Sequence, residues 1–400
     1  MIEHQTLQPA QRMENYKVHF FAQVAAKISR MQAEGWDVIR LDEGSPDLPP
    51  ASPIIDALAR SASLPTSHSY QSHRGTKELR QAWAGMYNRL YGIHLHPDHE
   101  ILPLIGSKEG VFHFPLTVIN PGDVVLIPDP GYITYTRGTI HAGGIPFYLP
   151  LRHENGYLPD LQAIPGDILK KAKLLWLNYP NNPTAAVASL DFFRNVIDFA
   201  RENQILVCHD AAYSQVTYDH FPAPSILQVE GSREVAVEFN TLSKSHNMAG
   251  WRVGALVGNS NALNQFFTIK TNIDSGHFLP ILHAAAFAMN DDQEWIKGRN
   301  DVYRRRRDRL IQVLHKNGLM AGIPSGSLYI WSPVYPGWKS EEFTNDLLEK
   351  ARVSFTPGTV FGACGEGYMR ISLTAPDDQI DEACKRLDAN LGLLRERRPQ

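Results

Sequence analysis

Two rhythms of apolar residues alternate along this chain. Seven short apolar runs, at 101–105, 124–127, 145–149, 174–177, 205–208, 235–239 and 253–257, have the length of strands rather than helices. Between most of them lie stretches at helical spacing, such as 107–120 and 189–203. Continuous apolar runs mark strands buried on both faces, and their alternation with helices predicts βαβ units and a mainly parallel, seven-stranded sheet covered by helices. Upstream, apolar and small residues from 20 to 31 predict a helix that Gly35 closes, followed by a strand over 37–41. The segment PDLPPASP (46–53) is too rich in proline for regular structure and reads as a stiff connector, and a helix is predicted over 77–91. Downstream come helical patterns at 281–318, 340–351 and 377–395 and strand-like runs at 327–332 and 368–373. The fold class is therefore α/β, a large sheet domain with a smaller α+β domain. The expected division is an N-terminal arm with part of the small domain at 1–50, a large domain at 51–280 and the small domain at 281–400.

Composition narrows the function classes. The chain has 39 basic against 42 acidic residues, a net charge of −3, and a mean hydropathy of −0.28. That balance lacks the strongly basic footprint of a nucleic-acid binder. Charged residues at 20% and hydrophobic ones at 43% argue against disorder. Cys208, Cys364 and Cys384 are too few and too scattered for a disulfide framework or a zinc knuckle, which favours a reducing, cytoplasmic compartment. No apolar stretch reaches the roughly 18 residues of a membrane span, and the first residues, MIEHQTLQPAQRMENYK, lack the pattern of a secretory leader.

The chemistry concentrates just after the strands. Lys244, in NTLSKSHNMAGWRVG (240–254), follows an apolar run directly, with Arg252 eight positions on. The C-terminal edge of an open α/β sheet is where such folds bind ligands. There, desolvation and neighbouring cations lower an amine's pKa, and only the neutral amine attacks a carbonyl. Arg252, Thr241 and Ser243 suit a phosphate dianion. In HDAAY (209–213), Asp210 follows another strand and could keep a pyridine nitrogen protonated, while Tyr213 could donate to a ring oxygen. YPNNPT (179–184) is an irregular turn offering Asn182 as an amide donor. GSKEG (106–110) puts Gly106, Ser107 and Lys108 where a phosphate could approach the backbone, and Tyr132 in DPGY could stack on a flat ring. Each motif alone has a plain structural reading as a turn or core residue. Together they supply an amine, a ring-nitrogen anion, a ring-oxygen donor, a stacking platform and a phosphate cup, which fits pyridoxal 5′-phosphate.

On these motifs, together with LDEGSPDLPP and INPGDVVLIPDPGY, the chain resembles the class I/II aminotransferases of the fold-type-I pyridoxal-phosphate family from about Leu41 to Leu373. Within that family it looks most similar to the LL-diaminopimelate aminotransferase group. The resemblance implies a cofactor-bonded lysine at Lys244, a ring-nitrogen aspartate at Asp210, a phosphate arginine at Arg252 and a carboxylate-binding arginine at Arg370, in YMRISLT. Arg370 also suits that task on its own chemistry, as a planar fork on a strand. The resemblance further assigns Gly44, Asn182 and Tyr132 to the substrate, and Tyr70 to the phosphate of a neighbouring subunit, hence a homodimer with shared sites. The implied activity is amino transfer between an amino acid and a 2-oxo acid, with 2-oxoglutarate and glutamate as the partner pair, in lysine biosynthesis. Aspartate, alanine, methionine or aromatic donors, a C–S β-lyase outcome and a non-catalytic cofactor sensor remain alternatives. One departure concerns the turn, where relatives often carry glycine after NNPT and this chain has Ala185.

Three features carry no functional expectation. The run Arg304–Arg307 points around a helix and is expected to be a solvated, salt-bridged face. His94, His96 and His99 lack metal-ligand spacing, so no metal is expected. Cys208 is expected to be a buried small hydrophobe. Recognition of the distal part of the substrate is expected from segments 16–21 and 272–278.

Overall fold

The computed structural model describes residues 8–15, 20–291 and 293–396. The chain divides into two compact units, one ending at Val38 and the other starting at Ile39. The first contains a 3₁₀ turn, Gln11–Asn15, and a helix, Phe20–Ala33; Gly35, at φ +87°, follows it. Most of the candidate segment 16–21 lies outside the described residues.

Among its described residues the second unit contains twelve strands. They are β1 (Ile39–Arg40), β2 (Ile101–Ile105), β3 (Val124–Asp129), β4 (Ile145–Pro150), β5 (Ala172–Asn178), β6 (Leu206–Asp210), β7 (Ala236–Thr241), β8 (Val253–Gly258), β9 (Tyr329–Pro333), β10 (Val353–Ser354), β11 (Thr356–Pro357) and β12 (Tyr368–Ser372). The seven predicted apolar runs are β2 to β8, and they form one sheet in the order β2-β8-β7-β6-β5-β3-β4. Six of these strands run in one direction, and β8, between β2 and β7, runs opposite to them. Along β5, Leu175 and Leu177 face one apolar core while Leu174 and Trp176 face another, which is why the run shows no polar alternation. The first core is closed by helices Lys77–Tyr91, Leu190–Asn203 and Leu279–Asn290, the second by Ser107–His113 and Ser260–Lys270.

The helix Lys77–Tyr91 coincides with its prediction, because both ends are written in the sequence: Thr76 Oγ1 accepts from Leu79 N at 3.2 Å, and Gly92 takes the left-handed cap at φ 69°. Two predicted helices are broken. Pro115 divides the 107–120 stretch into Ser107–His113 and Pro115–Val118, and the 281–318 stretch splits into Leu279–Asn290 and Glu294–Lys316. A third core, with Leu310, Leu314, Phe343, Leu347, Leu387 and Leu391, packs around the antiparallel sheet β11-β12-β9.

The arginine run departs from expectation. Arg304 and Arg305 lie on the outer side of Glu294–Lys316, but Arg306 and Arg307 are only 2% and 3% exposed. Arg306 donates to Asp377 at 2.6 Å, Asp47 at 2.9 Å and the Leu373 carbonyl at 3.1 Å; Arg307 donates to Asp219 and the Pro324 carbonyl, each at 2.6 Å. Successive residues of a helix point about 100° apart, so half of the run turns inward and must be neutralised there. Cys208 is fully buried, and its thiol is pushed up by that burial. Among the described residues, no cluster of three or more histidine, cysteine or acidic side chains could hold a metal ion, and no helix is long and apolar enough to cross a membrane.

Candidate active site

Strands β2 to β7 deliver their C-terminal ends to one edge of the sheet. The antiparallel β8 begins at that same edge: Thr241 pairs with Gly254, Gly254 with Leu104, and Val253 with Ile105. Its reversal therefore brings Arg252, the residue before β8, beside Gly106 and the Lys244 turn.

Lys244 sits in the one-turn helix Leu242–Ser245 directly after β7, capped by Thr241 Oγ1, which accepts from Ser243 N at 3.1 Å. Thr241 Oγ1 also donates to the Val253 carbonyl at 2.9 Å. The Lys244 amine donates to the Gly44 carbonyl at 2.6 Å. Burial, together with the Arg370 and Arg252 guanidiniums, draws the amine below the ordinary lysine range. Asp210 ends β6, 5% exposed, where the Tyr135 phenol donates to it at 2.8 Å and Ala212 N at 3.2 Å. Burial raises its carboxyl against those donors, so a cation beside it would stabilise the charged form strongly. Tyr135 stacks on Trp176 at 4.8 Å, which fixes that donor, and meets the Tyr132 ring edge-on at 5.6 Å.

The Gly106–Lys108 turn is shaped by its surroundings. Gly106 has φ 69° and ψ 153°, a region close to glycine-only, and a Cβ there would run into the Arg252 guanidinium. Burial lowers the Lys108 amine, and Arg252 and Arg137 lower it further, so three cations converge on this turn. Ser107 opens the helix, and the Ser243 hydroxyl, 6% exposed, lies 3.0 Å from Thr241 Oγ1, to which it donates because the Thr241 proton is used on Val253.

Arg370, on β12 and 2% exposed, donates to Asn182 Oδ1 and to the Asp42 carbonyl, each at 2.9 Å. Its guanidinium lies over the Tyr329 ring at 4.1 Å and the Phe361 ring at 4.7 Å. Asn182 is oriented in turn by Asn178, whose Oδ1 accepts from Asn182 N at 2.7 Å and whose Nδ2 donates to the Asp210 carbonyl at 2.7 Å. The Tyr213 and Tyr329 hydroxyls are 3.0 Å apart. Burial raises the Tyr213 phenol; it acts on Tyr329 in the same direction, but Arg370 and Lys244 outweigh it and draw that phenol down.

Lys244, Asp210, Tyr213, Asn182, Arg370, Gly44, Tyr132, Thr241, Ser243, Arg252, Ser107 and Lys108 thus lie around one edge of the sheet. Tyr70 does not join them within one chain and is 91% exposed. Sequence reading missed Tyr329, Tyr135 and Asn178. Tyr329 lies across from Ser372 in the β9–β12 register, on the face that carries Arg370; only that register reveals the pair. Ala185, the residue after NNPT, does take the left-handed conformation, φ 58°, which favours glycine.

The residues present fit pyridoxal phosphate: a cradle at Gly106 that a side chain would fill, cations converging on it, an amine of lowered pKa after β7, and a buried carboxylate at the end of the next strand, β6.

Comparison with known proteins agrees. The family model for class I and II aminotransferases matches residues 36–387. The chain is 46% identical over 383 residues to the LL-diaminopimelate aminotransferase of Desulforudis audaxviator, covering 96% of this chain and 98% of that protein. It is 43% identical over 376 residues to the protein of that name from Aquifex aeolicus, covering 94% and 97%. Among solved structures, substrate-bound BacF from Bacillus subtilis superposes with a TM-score of 0.92 at 33% identity, covering 96% and 98% of the two chains. A probable N-succinyldiaminopimelate aminotransferase from Thermus thermophilus gives 0.88 at 35% identity, covering 92% and 99%.

Proposed function

The chain belongs to the class I and II aminotransferases, enzymes that depend on pyridoxal phosphate, and from that premise we propose that it transfers the amino group of LL-diaminopimelate to 2-oxoglutarate. The substrate reading rests on full-length relatives of that name at 43–46% identity. The residue roles rest on one observation: the lowered Lys244 amine and the buried Asp210 carboxylate occupy the ends of adjacent parallel strands.

When bound, the cofactor supplies an aldehyde that condenses with amines and a ring that takes up charge from the substrate Cα–H bond. Lys244 holds that aldehyde through its neutral amine. The Lys244 amine would then move the proton between the substrate Cα and C4′ as general base and acid. Asp210 keeps the ring nitrogen protonated, and the Tyr135 phenol keeps Asp210 in place. Tyr213 would donate to the ring 3-oxygen, and Tyr132 would stack on the ring. Ser107, Lys108, Ser243 and Arg252 hold the phosphate, with Thr241 orienting Ser243. Arg370 grips the substrate α-carboxylate in a bidentate manner, with Asn182 and the Gly44 segment beside it. In this reading Tyr70 reaches the phosphate of a second copy, so the working form is a homodimer in the cytoplasm. The cofactor-binding domain, expected over 51–280, extends through the helix Leu279–Asn290 that closes the first core, and the small domain comprises the residues after it with part of the arm at 1–50.

A donor panel with 2-oxoglutarate as acceptor tests the substrate. LL-diaminopimelate is expected to give the highest kcat/KM and to yield glutamate. A higher value for aspartate, alanine, methionine or an aromatic amino acid would replace the donor. Pyruvate and ammonia released from a cysteine conjugate without any acceptor would replace the reaction.

A further inference from the structure

The helix Glu294–Lys316 carries a buried arginine that the chemistry above leaves unused. Arg299 is 3% exposed, and among the described residues no carboxylate lies within ion-pair reach of it. Burial draws its pKa down to about 10, against the opposing Tyr303 and Tyr218 phenols. A guanidinium buried without a counter-ion is costly unless its N–H groups are well used. Here the terminal nitrogens are used, on two main-chain carbonyls and two side-chain amides, while the Nε–H finds no partner among the described residues. Nη1 donates to the Lys244 carbonyl and, at 3.4 Å, to Asn247 Oδ1; Nη2 donates to the Gln215 carbonyl at 2.9 Å and to Asn300 Oδ1 at 2.7 Å. The rings of Trp295 and Tyr303, at 5.8 and 5.9 Å, flank the fork.

Three of these contacts lead back to the site. The Lys244 carbonyl belongs to a one-turn helix, whose last carbonyls find no partner inside the helix, and a cation there also meets the negative end of the peptide dipoles. Gln215 lies five residues after Asp210 in the segment that carries Tyr213, and its carbonyl receives a second donor, Asn300 Nδ2, at 3.0 Å. Asn247 Nδ2 donates to the Leu48 carbonyl at 3.0 Å, in the segment whose Gly44 carbonyl receives the Lys244 amine. The side chain therefore ties the turn after β7 directly to the segment after β6, and through Asn247 to the segment after β1.

We infer that Arg299 is a positioning residue that fixes the Lys244 amine relative to the Asp210 carboxylate. The inference rests on the roles given to those two groups above, which act at opposite ends of one cofactor ring. A guanidinium serves because its planar fork reaches two carbonyls in fixed directions, which a lysine ammonium cannot do. The misplacement it prevents acts on the proton transfer rather than on substrate affinity.

The test uses full-length holoenzyme with Arg299→Lys and Arg299→Met, and Arg304→Met on the outer side of the same helix as control. Active sites are counted by the cofactor that borohydride fixes to Lys244; failure to fix it in the wild type would overturn the assignment of Lys244 itself, upstream of Arg299. Both Arg299 variants are expected to load cofactor and to lose about 10- to 100-fold in kcat per loaded site, with the donor KM within about twofold of wild type. Arg299→Lys is expected to recover part of the loss, and Arg304→Met to keep the wild-type kcat. Wild-type kcat per loaded site in Arg299→Met, or in Arg299→Lys should the first variant not fold, would overturn the inference. So would a loss that only tracks the folded fraction.

Discussion

The Lys244 amine shows how burial sets chemistry at a single atom. Desolvation and the Arg370 and Arg252 cations disfavour its charged form, so the neutral amine persists at lower pH than in an exposed lysine, whose pKa is about 10.4. Capture of pyridoxal phosphate by the apoenzyme needs that neutral form. The capture rate, followed by absorbance, is therefore expected to rise with pH and level off below the ordinary lysine pKa; a rise that continues to that pKa would contradict the environment described. Gly106 is the second residue whose conformation decides function. Gly106→Ala forces a side chain into a backbone region that costs about 1–3 kcal/mol and drives its methyl group into Arg252. The expected result is a loss of cofactor affinity of about tenfold or more, read from a titration; unchanged affinity would show that the turn does not serve the phosphate. Lys244, Asp210 and Arg252 were legible in the sequence because each stands next to an apolar strand, so the strand itself announces the sheet edge. Tyr329 was not, because its place depends on how β9 registers against β12.

At the level of elements, local signals and tertiary demands part company. The cap residues Thr76 and Gly92 bound one helix in the sequence itself, and Pro115 shows that an apolar periodicity continues across a break in the backbone. The orientation of β8 was illegible, since a run buried on both faces reads alike in either direction. Its reversal nevertheless brings Arg252 to the cofactor edge. The arginine run of Glu294–Lys316 was misread for a related reason: helix periodicity separates the four side chains, but only packing tells which two turn inward. Arg306→Ala, which strands Asp47 beside an emptied site, is expected to cost about 3 kcal/mol or more. Arg304→Ala, which removes partly exposed pairs with Asp301 and Asp308, should cost less than about 1 kcal/mol. Denaturant midpoints of the two variants check the ranking, and equal losses would contradict the burial assigned to Arg306.

For the whole molecule, the site gathers residues from Gly44 to Arg370, more than three hundred positions apart in the chain, so its cooperation exists only in the complete fold. The sheet and its chemistry-bearing edge were readable because βαβ alternation leaves few topologies open. Tyr70 gives the prediction at this scale. If it serves a second copy, a mixture of Tyr70→Ala and Lys244→Ala chains restores one intact site in each mixed dimer, about a quarter of wild-type activity after random exchange. Activity no higher than the sum of the two separate variants would leave Tyr70 without that role. The central claim, that Lys244 carries the cofactor, is tested most directly by reducing the loaded protein with borohydride and mapping the modified peptide. A single pyridoxyl adduct is expected, on Lys244; an adduct on another lysine, or none, would refute the assignment.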